Sequence, residues 1–541
     1  MEQSPAIDHT FLTLLDGHVA ERPDTAFVKC GDGEWLTYAQ VRDRSNAIAD
    51  GMRRGGISPG DHVAVILPNC EEYLLAVFAC ARLGVVQVPI NTSLKGDFLR
   101  YQLAHSQATA LVTDSLGIGQ IAGIVGELPQ LGLVARVGAP EPGEPELAKQ
   151  TVVDFATFEA TGDPGATFDP VDPTATHAIM YTSGTTGLPK GCVISHRYAT
   201  NIGRKVGAVG YVRPDDVAMT PMPLFHIGGQ FVALGQCLAV GASIAIEPTF
   251  SASGLLDRCR ELGITNYLGL GPMAMALLAQ PPRPDDRDHQ VRCGMFIPVK
   301  PDRLAEFEER FGIQILSEFY AQTEWSPVTI CPAWGPRLPG SAGVPAPDVE
   351  VRIVDDDDNE LPPGQVGEIV GRPARPGIMF DGYWNDPVSS LQTFRGLWHH
   401  TGDLGRLDEE GRLYYVDRKK DALRRRGELV SSQELEMAIV KHPEVAAVAV
   451  LAAPSPLGED DIKACLVPEP GAALTPELLF DFFRAELPYF AIPRYVEVMA
   501  ELPVNASHRV MKHKLREDAV NDRTWDFEAL GLTVAKDQRR R

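Results

Sequence analysis

The chain has 541 residues, of which 44% are hydrophobic and 23% are charged, a balance typical of a folded protein with a sizeable core. Its 72 acidic and 50 basic residues give a net charge of −22, which argues against a general nucleic-acid or membrane-surface binder, since both need a basic face. The nine Cys show neither a CxxC pair nor zinc-ligand spacing, and no signal-peptide pattern precedes them, so we expect a reduced, cytoplasmic protein.

Short apolar runs alternate with helical patterns through the first part of the chain. HVAVILP (62–68) predicts a buried strand, and EEYLLAVFACARLG (71–84) predicts a helix with one buried face and Gly84 at its end. TALVTD, HAIMYTS, ASIAIE and IQILSEFY predict further strands, and RLAEFEERFG (303–312) predicts another helix. We expect a surface loop at 138–173, which is rich in Pro, Gly and acidic residues. Strands that alternate with helices indicate an α/β fold with mostly parallel sheets.

The pattern changes after about Asp348. VEVRIVD, QVGEIVG and LGRLDEEGRLYYVDR predict a small β-rich subdomain at about 340–419. Beyond it, SQELEMAIVKH and PELLFDFFRAEL predict helices among short strands, which is typical of a small α+β unit. The sequence thus predicts a large N-terminal domain of layered, mostly parallel sheets with helices at 1–419 and a C-terminal domain at 420–541.

The stretch YTSGTTGLPK (181–190) follows a predicted strand and combines glycines, hydroxyl side chains and one Lys. It is not a Walker loop, because Pro189 stands where that motif has its second Gly. Glycines allow close backbone approach, and amide and hydroxyl donors can converge on phosphate oxygens. From the residues alone, the stretch is either an anion-binding loop or a polar surface loop.

Seven segments of the chain are distinctive, in the order WLTYAQV, RLGVVQVPINTSL, YTSGTTGLPKG, PLFHIGG, EFYAQTE, HTGDLGRLDEEGRLYYVDRKKD and RRRGELVSSQELE. Together they resemble the adenylate-forming superfamily of acyl-CoA synthetases, peptide-synthetase adenylation domains and luciferases. The resemblance covers roughly residues 10–520 and points to the acyl-CoA ligase branch. It implies ATP, Mg²⁺ and CoA as cofactor and co-substrates, and a C-terminal domain that rotates between two half-reactions.

The resemblance also implies roles for individual residues in nucleotide binding. Tyr320 matches an aromatic residue that stacks on adenine, Asp403 matches a carboxylate that holds the ribose hydroxyls, and Glu324 and Thr186 match residues that bind Mg²⁺. The full set of matched ATP- and AMP-binding positions is Thr182, Ser183, Gly184, Thr185, Thr186, Gly187, Lys190, Tyr320, Thr323, Asp403 and Arg418.

Other matched positions concern the acid and the thiol. His226 matches a residue beside the reacting carboxylate, and the expected acyl pocket comprises Phe225, Gly229, Gly269, Leu270 and Phe319. Lys420 falls at the hinge position, and Gly427 falls where the family lines the channel for the pantetheine thiol. Arg424 is a candidate contact for CoA phosphates, although a run of charges is also typical of a solvated face.

The sequence departs from the family pattern at two places. Arg509 stands where the family has its catalytic Lys, which leaves three possibilities: Arg509 acts in its place, Lys512 reaches in, or adenylation is slow. The second departure is at Met295, Phe296 and Ile297, where the family has Gly-Gly-Ala, so we expect a reshaped adenine wall or acyl pocket.

The function expected from the resemblance is an acid–CoA ligase that activates an aromatic or aliphatic acid as an acyl-adenylate and then transfers it to CoA. Two alternatives remain open: an enzyme that loads a carrier-protein phosphopantetheine, and a degenerate nucleotide-binding homologue. The expected partners are a small carboxylic acid, ATP and CoA, without nucleic acid or membrane. We expect a monomer or a homodimer.

Overall fold

The structure is a computed structural model that describes residues 9–182, 189–297, 299, 301–419, 423–425, 428–430, 432–454, 460–487, 491–504 and 510–534. Contacts within the chain divide it into two compact units. The first comprises 1–351 with 371–399, and the second comprises 352–370 with 400–541. The domain boundary expected between 419 and 420 stays a prediction.

The strands vary from two to ten residues in length. In chain order they are β1 (Ala26–Cys30), β2 (Leu36–Thr37), β3 (His62–Ile66), β4 (Val86–Pro89), β5 (Ala110–Thr113), β6 (Leu133–Arg136), β7 (Thr151–Asp154), β8 (Thr176–Thr182), β9 (Lys190–Ser195), β10 (Val217–Thr220), β11 (Ser243–Ile246), β12 (Asn266–Leu270), β13 (Cys293–Ile297), β14 (Gln314–Leu316), β15 (Phe319–Tyr320), β16 (Thr329–Ile330), β17 (Val344–Pro345), β18 (Val349–Val354), β19 (Gly367–Pro373), β20 (His399–Leu407), β21 (Leu413–Arg418), β22 (Leu423–Arg425), β23 (Glu428–Val430), β24 (Val445–Pro454), β25 (Asp460–Pro468), β26 (Tyr495–Val498) and β27 (Thr524–Asp526).

The helices alternate with these strands in the first unit, as the sequence predicts. In chain order they are α1 (Phe11–Glu21), α2 (Tyr38–Arg54), α3 (Glu71–Leu83), α4 (Gly96–His105), α5 (Ser115–Ala122), α6 (Ala156–Thr161), α7 (His196–Ala208), α8 (Gly235–Val240), α9 (Leu255–Leu262), α10 (Gly271–Leu278), α11 (Pro301–Phe311), α12 (Pro387–Thr393), α13 (Ser432–Ile439), α14 (Pro476–Glu486) and α15 (Lys512–Glu517). Within the described residues, no helix is both long and apolar enough to cross a bilayer.

Two seven-stranded sheets form the framework of the first unit. One has the order β7-β6-β5-β3-β4-β8-β9, and the other has the order β14-β13-β12-β10-β11-β1-β2. In each sheet the neighbours are parallel except for one antiparallel edge pair, β8–β9 in the first and β1–β2 in the second. The predicted α/β class with mostly parallel sheets is therefore confirmed.

Helix α3 forms where the sequence predicts it but is more deeply buried than a one-sided pattern implies. Its N-terminal acidic residues Glu71 and Glu72 face the positive end of the helix dipole, and Gly84 ends it with a left-handed φ of 72°. Every residue from Tyr73 to Ala81 is buried. A helix enclosed on all sides needs no polar face, which explains why its apolar residues run almost without interruption.

The predicted surface loop at 138–173 is wrong in its central part. Residues Thr151–Asp154 add β7 in parallel to the edge of β6, and Ala156–Thr161 form helix α6. Phe158 of α6 is buried against α2, where a Cβ at Gly51 would lie 2.0 Å from the Phe158 carbonyl oxygen. The β-branched residues Thr151, Val152 and Val153 favour a strand, and pairing with the edge of β6 stabilises a segment too short to be recognised within a Pro- and Gly-rich stretch.

The second unit contains a four-stranded sheet in the order β24-β25-β26-β27. Its core gathers apolar residues from α13, α14 and the sheet, such as Leu435, Phe480 and Phe483. The sequence predicts α13, β24, β25, α14 and β26, but not β27, which pairs antiparallel with β26 through only three residues. A strand this short has too little periodicity to be recognised without its partner.

Candidate active site

The β8–β9 hairpin holds the two ends of the Gly/Thr stretch together. Thr182 and Lys190 are register partners, and the Thr182 hydroxyl lies 3.4 Å from the Lys190 carbonyl oxygen. The residues between these strands that carry the predicted phosphate contacts lie outside the described part of the chain: Ser183, Gly184, Thr185, Thr186 and Gly187. The described residues therefore establish where the stretch leaves and re-enters the sheet.

Helix α4 braces both ends of the same hairpin. Tyr101 donates its hydroxyl to the carbonyl oxygen of Pro189 at 3.2 Å, next to the re-entry point. The ring nitrogen Nδ1 of His105 lies 2.9 Å from the Tyr181 hydroxyl on the outgoing strand. The indole of Trp384 donates to the His105 carbonyl oxygen at 3.0 Å, which ties the helix to the segment after β19. These contacts fix the loop ends from outside the sheet.

Tyr383 lies between a candidate phosphate-binding cation and a candidate metal ligand. The Lys190 ammonium lies 5.0 Å from the centroid of the Tyr383 ring, and the Tyr383 hydroxyl donates to Glu324 Oε1 at 2.8 Å. An isolated antiparallel β-bridge between the backbones of Cys192 and Tyr383 holds the tyrosine against β9. Burial, with the Glu324 carboxylate as the next cause, raises the pKa of the Cys192 thiol well above its usual range. The cysteine is thus a neutral neighbour of this group.

The backbone around Thr323 and Glu324 is held by three hydrogen bonds. Tyr198 on α7 donates to the Thr323 carbonyl oxygen at 3.1 Å, and the Phe380 amide donates to the Glu324 carbonyl oxygen at 2.9 Å. The Gln322 amide donates to the Trp325 carbonyl oxygen at 2.8 Å and closes a tight turn. Both side chains of the predicted Thr-Glu element are therefore presented from a fixed turn.

Tyr320, the predicted adenine partner, lies in β15 beside Phe319. The two residues pair antiparallel with β16. Tyr320 exposes only 7% of its surface, whereas Phe319 is half-buried. Stacking on an adenine ring would use the small exposed part of Tyr320.

The segment that carries His226 is anchored by Asn69, a residue that the sequence analysis does not identify. Asn69 follows β3 of one seven-stranded sheet and donates its amide to the carbonyl oxygens of Met222 and Glu247, at 3.1 and 3.0 Å, in the other. The Leu224 amide donates back to Asn69 Oδ1 at 2.8 Å. One buried amide thus joins the carboxyl ends of the strands, where open α/β sheets bind ligands.

His226 and Phe225 are half-buried, and their rings lie 4.6 Å apart. They precede a π-helical stretch, Gly228–Leu234, a geometry that is frequent at functional sites. A Cβ at Gly229 would lie 2.3 Å from the Pro223 carbonyl oxygen. Close backbone packing therefore requires glycine at 229, whatever its place in an acyl pocket.

Met295, Phe296 and Ile297, expected to reshape the adenine wall or the acyl pocket, differ in burial, and the first two belong to the core. Met295 and Phe296 are 3% and 1% exposed, and Phe296 stacks on Tyr267 in the core with ring centroids 5.2 Å apart. Strand β13 pairs with β12 and β14 along its two edges, and Phe296 packs in a buried cluster with Phe307 of α11. Ile297, at the carboxyl end, is half-buried, and Leu270, its register partner on β12, is 44% exposed.

The second unit brings Asp403 and Arg418 together as register partners on β20 and β21. Arg418 Nε lies 3.1 Å from Asp403 Oδ1, and Asp403 is 2% exposed. Glu368, which the sequence analysis does not identify, lies nearby and binds Lys419 at 2.9 Å. Burial acts to raise the pKa of Glu368, but hydrogen bonds from Lys419 and His400 outweigh it, so the pKa lies below its usual value.

Lys512 is held inside the second unit. Its ammonium lies 2.8 Å from Glu436 Oε1 and donates to the Ser432 hydroxyl at 2.6 Å. Ser432 donates in turn to Asp417 at 2.7 Å. Burial raises the pKa of Glu436, and Lys512 opposes that shift without cancelling it. Of the other predicted residues here, Lys420, Gly427 and Arg509 lie outside the described residues, as does the side chain of Arg424, whose backbone belongs to β22.

A model of the AMP-binding enzyme family matches residues 15–384, and a model of the AMP-binding enzyme C-terminal domain matches residues 434–509. The chain belongs to the AMP-binding enzyme family. A crotonobetaine/carnitine–CoA ligase of Salmonella arizonae is 32% identical over 514 residues, which cover 93% of this chain and 97% of the relative. A crotonobetaine/carnitine–CoA ligase of Salmonella typhimurium is also 32% identical, over 517 residues.

Solved structures of related AMP-binding enzymes share the fold over nearly the whole chain. ATP-bound MatB from Rhodopseudomonas palustris has a TM-score of 0.82 at 27% identity and covers 94% of this chain and 99% of its own. The o-succinylbenzoate CoA synthetase MenE from Bacillus subtilis, with its acyl-adenylate, has a TM-score of 0.79 at 26% identity, covering 94% and 98%. The predicted superfamily and fold class are confirmed, and the predicted reaction class is the one to which these named CoA ligases belong.

The described residues fit a Mg²⁺ ion that is bound mainly through phosphate. They contain no group of three His, Cys, Asp or Glu side chains able to hold a metal on their own. Mg²⁺ in nucleotide sites commonly takes one or two carboxylates together with phosphate oxygens and water. The half-buried carboxylate of Glu324, oriented by the Tyr383 hydroxyl, suits that arrangement in this AMP-binding enzyme.

Replacing Tyr383 with phenylalanine is expected to slow acyl-adenylate formation by about 10-fold and to weaken MgATP binding. The substitution keeps the ring beside Lys190 but removes the hydroxyl that orients Glu324. Pyrophosphate release measured against MgATP concentration tests this. Tyr73→Phe is the matched control, because the buried Tyr73 hydroxyl has no hydrogen-bond partner among the described residues. Equal kinetics in the two variants would contradict the role of Tyr383.

Proposed function

We propose that this AMP-binding enzyme is an AMP-forming acid–CoA ligase. In the first half-reaction, a carboxylate oxygen of the acid attacks the α-phosphorus of ATP, and the bond to pyrophosphate breaks. In the second, the CoA sulfur attacks the acyl carbonyl carbon, and the bond to AMP breaks. The observation that carries the proposal is the Lys190–Tyr383–Glu324 group at the foot of the Gly/Thr loop.

The Lys190–Tyr383–Glu324 group can offset the electrostatic repulsion of the first step, in which the carboxylate of the acid approaches the phosphates of ATP. Two unit charges about 4 Å apart repel by about 4 kcal/mol at an effective dielectric constant of about 20. Lys190 supplies a cation next to the loop, and Glu324 supplies a carboxylate for Mg²⁺. When bound, Mg²⁺ would neutralise charge on the phosphate oxygens. Preorganised positive charge favours the transition state, because it needs no rearrangement during the reaction.

The remaining nucleotide contacts follow from the family's motif positions. We assign adenine stacking to Tyr320, the ribose hydroxyls to Asp403 with Arg418 beside it, and the β- and γ-phosphates to the loop that ends at Lys190. The Arg418–Asp403 contact at 3.1 Å supports the ribose assignment, since it orients a carboxylate whose oxygens can accept hydroxyl donors.

We propose an acid without an α-amino group. The expected pocket positions Phe225, Gly269, Leu270 and Phe319 are apolar or lack a side chain, and none of them supplies a carboxylate that could bind an ammonium group. The relatives act on different acids by their names, crotonobetaine or carnitine in one case and o-succinylbenzoate in another. The specific acid therefore has to be found by measurement.

A panel of aromatic and aliphatic acids, assayed with ATP, Mg²⁺ and CoA, tests the proposal. We expect acid-dependent release of pyrophosphate and a CoA thioester identified by its mass. A parallel reaction with a phosphopantetheinylated carrier protein distinguishes a carrier-loading enzyme. Absence of acid-dependent pyrophosphate release across the whole panel would overturn the proposal and favour a degenerate nucleotide-binding protein.

Gly427→Leu is expected to separate the two half-reactions. A side chain in the proposed thiol channel should reduce thioester formation by about 100-fold or more, since misplacement of a reacting group by about 1 Å already costs about that much. Acyl-adenylate formation should stay within a few-fold of the unsubstituted enzyme. Pyrophosphate release without CoA measures the first step, and thioester mass measures the second. Equal loss of both steps would refute the channel assignment.

A further inference from the structure

Helix α7 carries two buried donor groups that have no acceptor among the described residues. Asn201 and Lys205 lie four residues apart and therefore on the same face of the helix. They are 7% and 9% exposed. Asn201 Nδ2 and Lys205 Nζ have no hydrogen-bond partner among the described residues. Native proteins seldom leave buried donors unsatisfied, so these two atoms require an explanation.

A second segment brings another cation to the same face. Arg375 binds Asp348 through a guanidinium nitrogen at 2.5 Å, while its Nε has no acceptor among the described residues. Two residues later, Gly377 has a φ of 77°, and a Cβ there would lie 2.1 Å from Arg197 Cδ on α7. Glycine suits this position because of its positive φ and because a side chain would displace Arg197, so the 375–377 segment can pack close to the helix.

Lys205 lies within electrostatic range of a second cation and of one carboxylate. Arg375 and Asp348 both act on it, and Arg375 also acts on Arg204. Burial lowers the pKa of Lys205 to about 8, with Asp348 opposing the shift and Arg375 adding to it. Burial and then Arg375 also lower the pKa of Arg204. At pH 7 the Lys205 ammonium is still mostly protonated, and Asp348, the carboxylate that acts on it, is already bound by Arg375.

We propose that Asn201, Lys205 and Arg375 form a binding site for a phosphate group, distinct from the ATP loop. An ammonium, an amide and a guanidinium offer only donors at the unsatisfied atoms, and phosphate oxygens are strong acceptors that pair well with both cations. A metal cation is excluded by the same donor set. The Arg375 and Asp348 side chains, which are 27% and 34% exposed, form the solvent-facing edge of this cluster.

The test measures thermal unfolding of the full chain against inorganic phosphate up to about 10 mM, with chloride holding ionic strength constant. We expect phosphate to raise the unfolding temperature of the unsubstituted protein by about 1–3 °C. Lys205→Met should abolish that rise. Without phosphate it should be at least as stable as the parent, because it removes a buried, poorly compensated charge. Lys190→Ala, which alters the proposed ATP loop, should keep the rise.

Asn201→Asp gives an independent variant. A carboxylate one turn before Lys205 should pair with the ammonium, raise the unfolding temperature without phosphate, and eliminate the response to phosphate by repulsion. Pyrophosphate and CoA serve as further probes in the same unfolding experiment. The compound whose rise in unfolding temperature is reduced most by Lys205→Met indicates the source of the phosphate group.

Two results would overturn the site. One is an equal phosphate response in Lys205→Met and the parent protein. The other is a response that disappears in Lys190→Ala and persists in Lys205→Met, which would place the phosphate in the ATP loop. The proposed ligase activity does not depend on either outcome, because it is measured by pyrophosphate release.

Discussion

Replacing Glu324 with glutamine is expected to slow acyl-adenylate formation by about 10²–10³-fold, the cost of removing one main electrostatic contact at a reacting centre. Glutamine preserves the size of the side chain and can still accept the Tyr383 hydroxyl, which donates to Glu324 at 2.8 Å. What it loses is the negative charge for Mg²⁺. The loss should therefore appear as a higher requirement for Mg²⁺ as well as a lower rate of pyrophosphate release.

The control for this prediction is Glu309→Gln, which removes the same charge from an exposed position on α11. We expect that variant to behave like the parent enzyme in both rate and Mg²⁺ dependence, since substitutions at exposed sites are usually nearly neutral. If the Glu324→Gln enzyme shows normal Mg²⁺ dependence, Glu324 is not a metal ligand. The proposal that Tyr383 orients Glu324 for Mg²⁺ would then be wrong.

The second large effect concerns the position where the family has its catalytic lysine. Of the three possibilities for this position, we propose that Arg509 acts in place of the lysine. Arg509→Ala is then expected to slow acyl-adenylate formation by about 10²-fold or more, because it removes a charge-assisted contact to the reacting carboxylate and phosphate. Conversion of supplied acyl-adenylate to the CoA thioester should change by only a few-fold. The two half-reactions measured separately, with pyrophosphate and thioester as readouts, provide the test.

Lys512→Ala is the informative comparison for Arg509. Its ammonium is bound to Glu436 and Ser432, so its removal leaves a mostly buried carboxylate without its cation. We expect a loss of about 1–3 kcal/mol in the free energy of unfolding and a smaller effect on adenylation than Arg509→Ala has. If Lys512→Ala instead abolishes adenylation and Arg509→Ala does not, Lys512 is the residue that reaches the carboxylate.

Local sequence patterns predicted the regular elements well where pattern and packing agree. The helix at 71–83 and its terminal Gly84 follow from apolar content and a glycine stop, and α11 follows from the spacing of Leu304, Phe307 and Phe311, which are all buried. The strand predicted by IQILSEFY is two strands, β14 and β15, because the chain leaves the large sheet and joins β16. Where a strand changes its partner is a property of the sheet, not of the segment.

The candidate site shows the same division. The motif positions of Lys190, Thr323 and Glu324 could be found in the sequence, because each belongs to a short segment with a distinctive order of residues. Tyr383 could not, since its role depends on lying between Lys190 and Glu324, which are far from it in the chain. Asn69 could not be identified from the sequence either, because a single Asn gives no periodic pattern. Its role is visible only through its hydrogen bonds to Met222 and Glu247.

By itself, the sequence determined the α/β class and the order of the motifs, because both are encoded in local spacing and residue type. The chemistry expected of those motifs came from their resemblance to the adenylate-forming superfamily. Only the tertiary structure decided that Met295 and Phe296 belong to the core. It also decided that 151–154 pair with β6 and that 156–161 form a helix packed on α2. The proximity of Asn201, Lys205 and Arg375 is likewise visible only in the folded chain. The physical reason is that burial and strand pairing depend on contacts between segments that are distant in the chain. The sequence pattern of one segment does not specify which other segment it will contact.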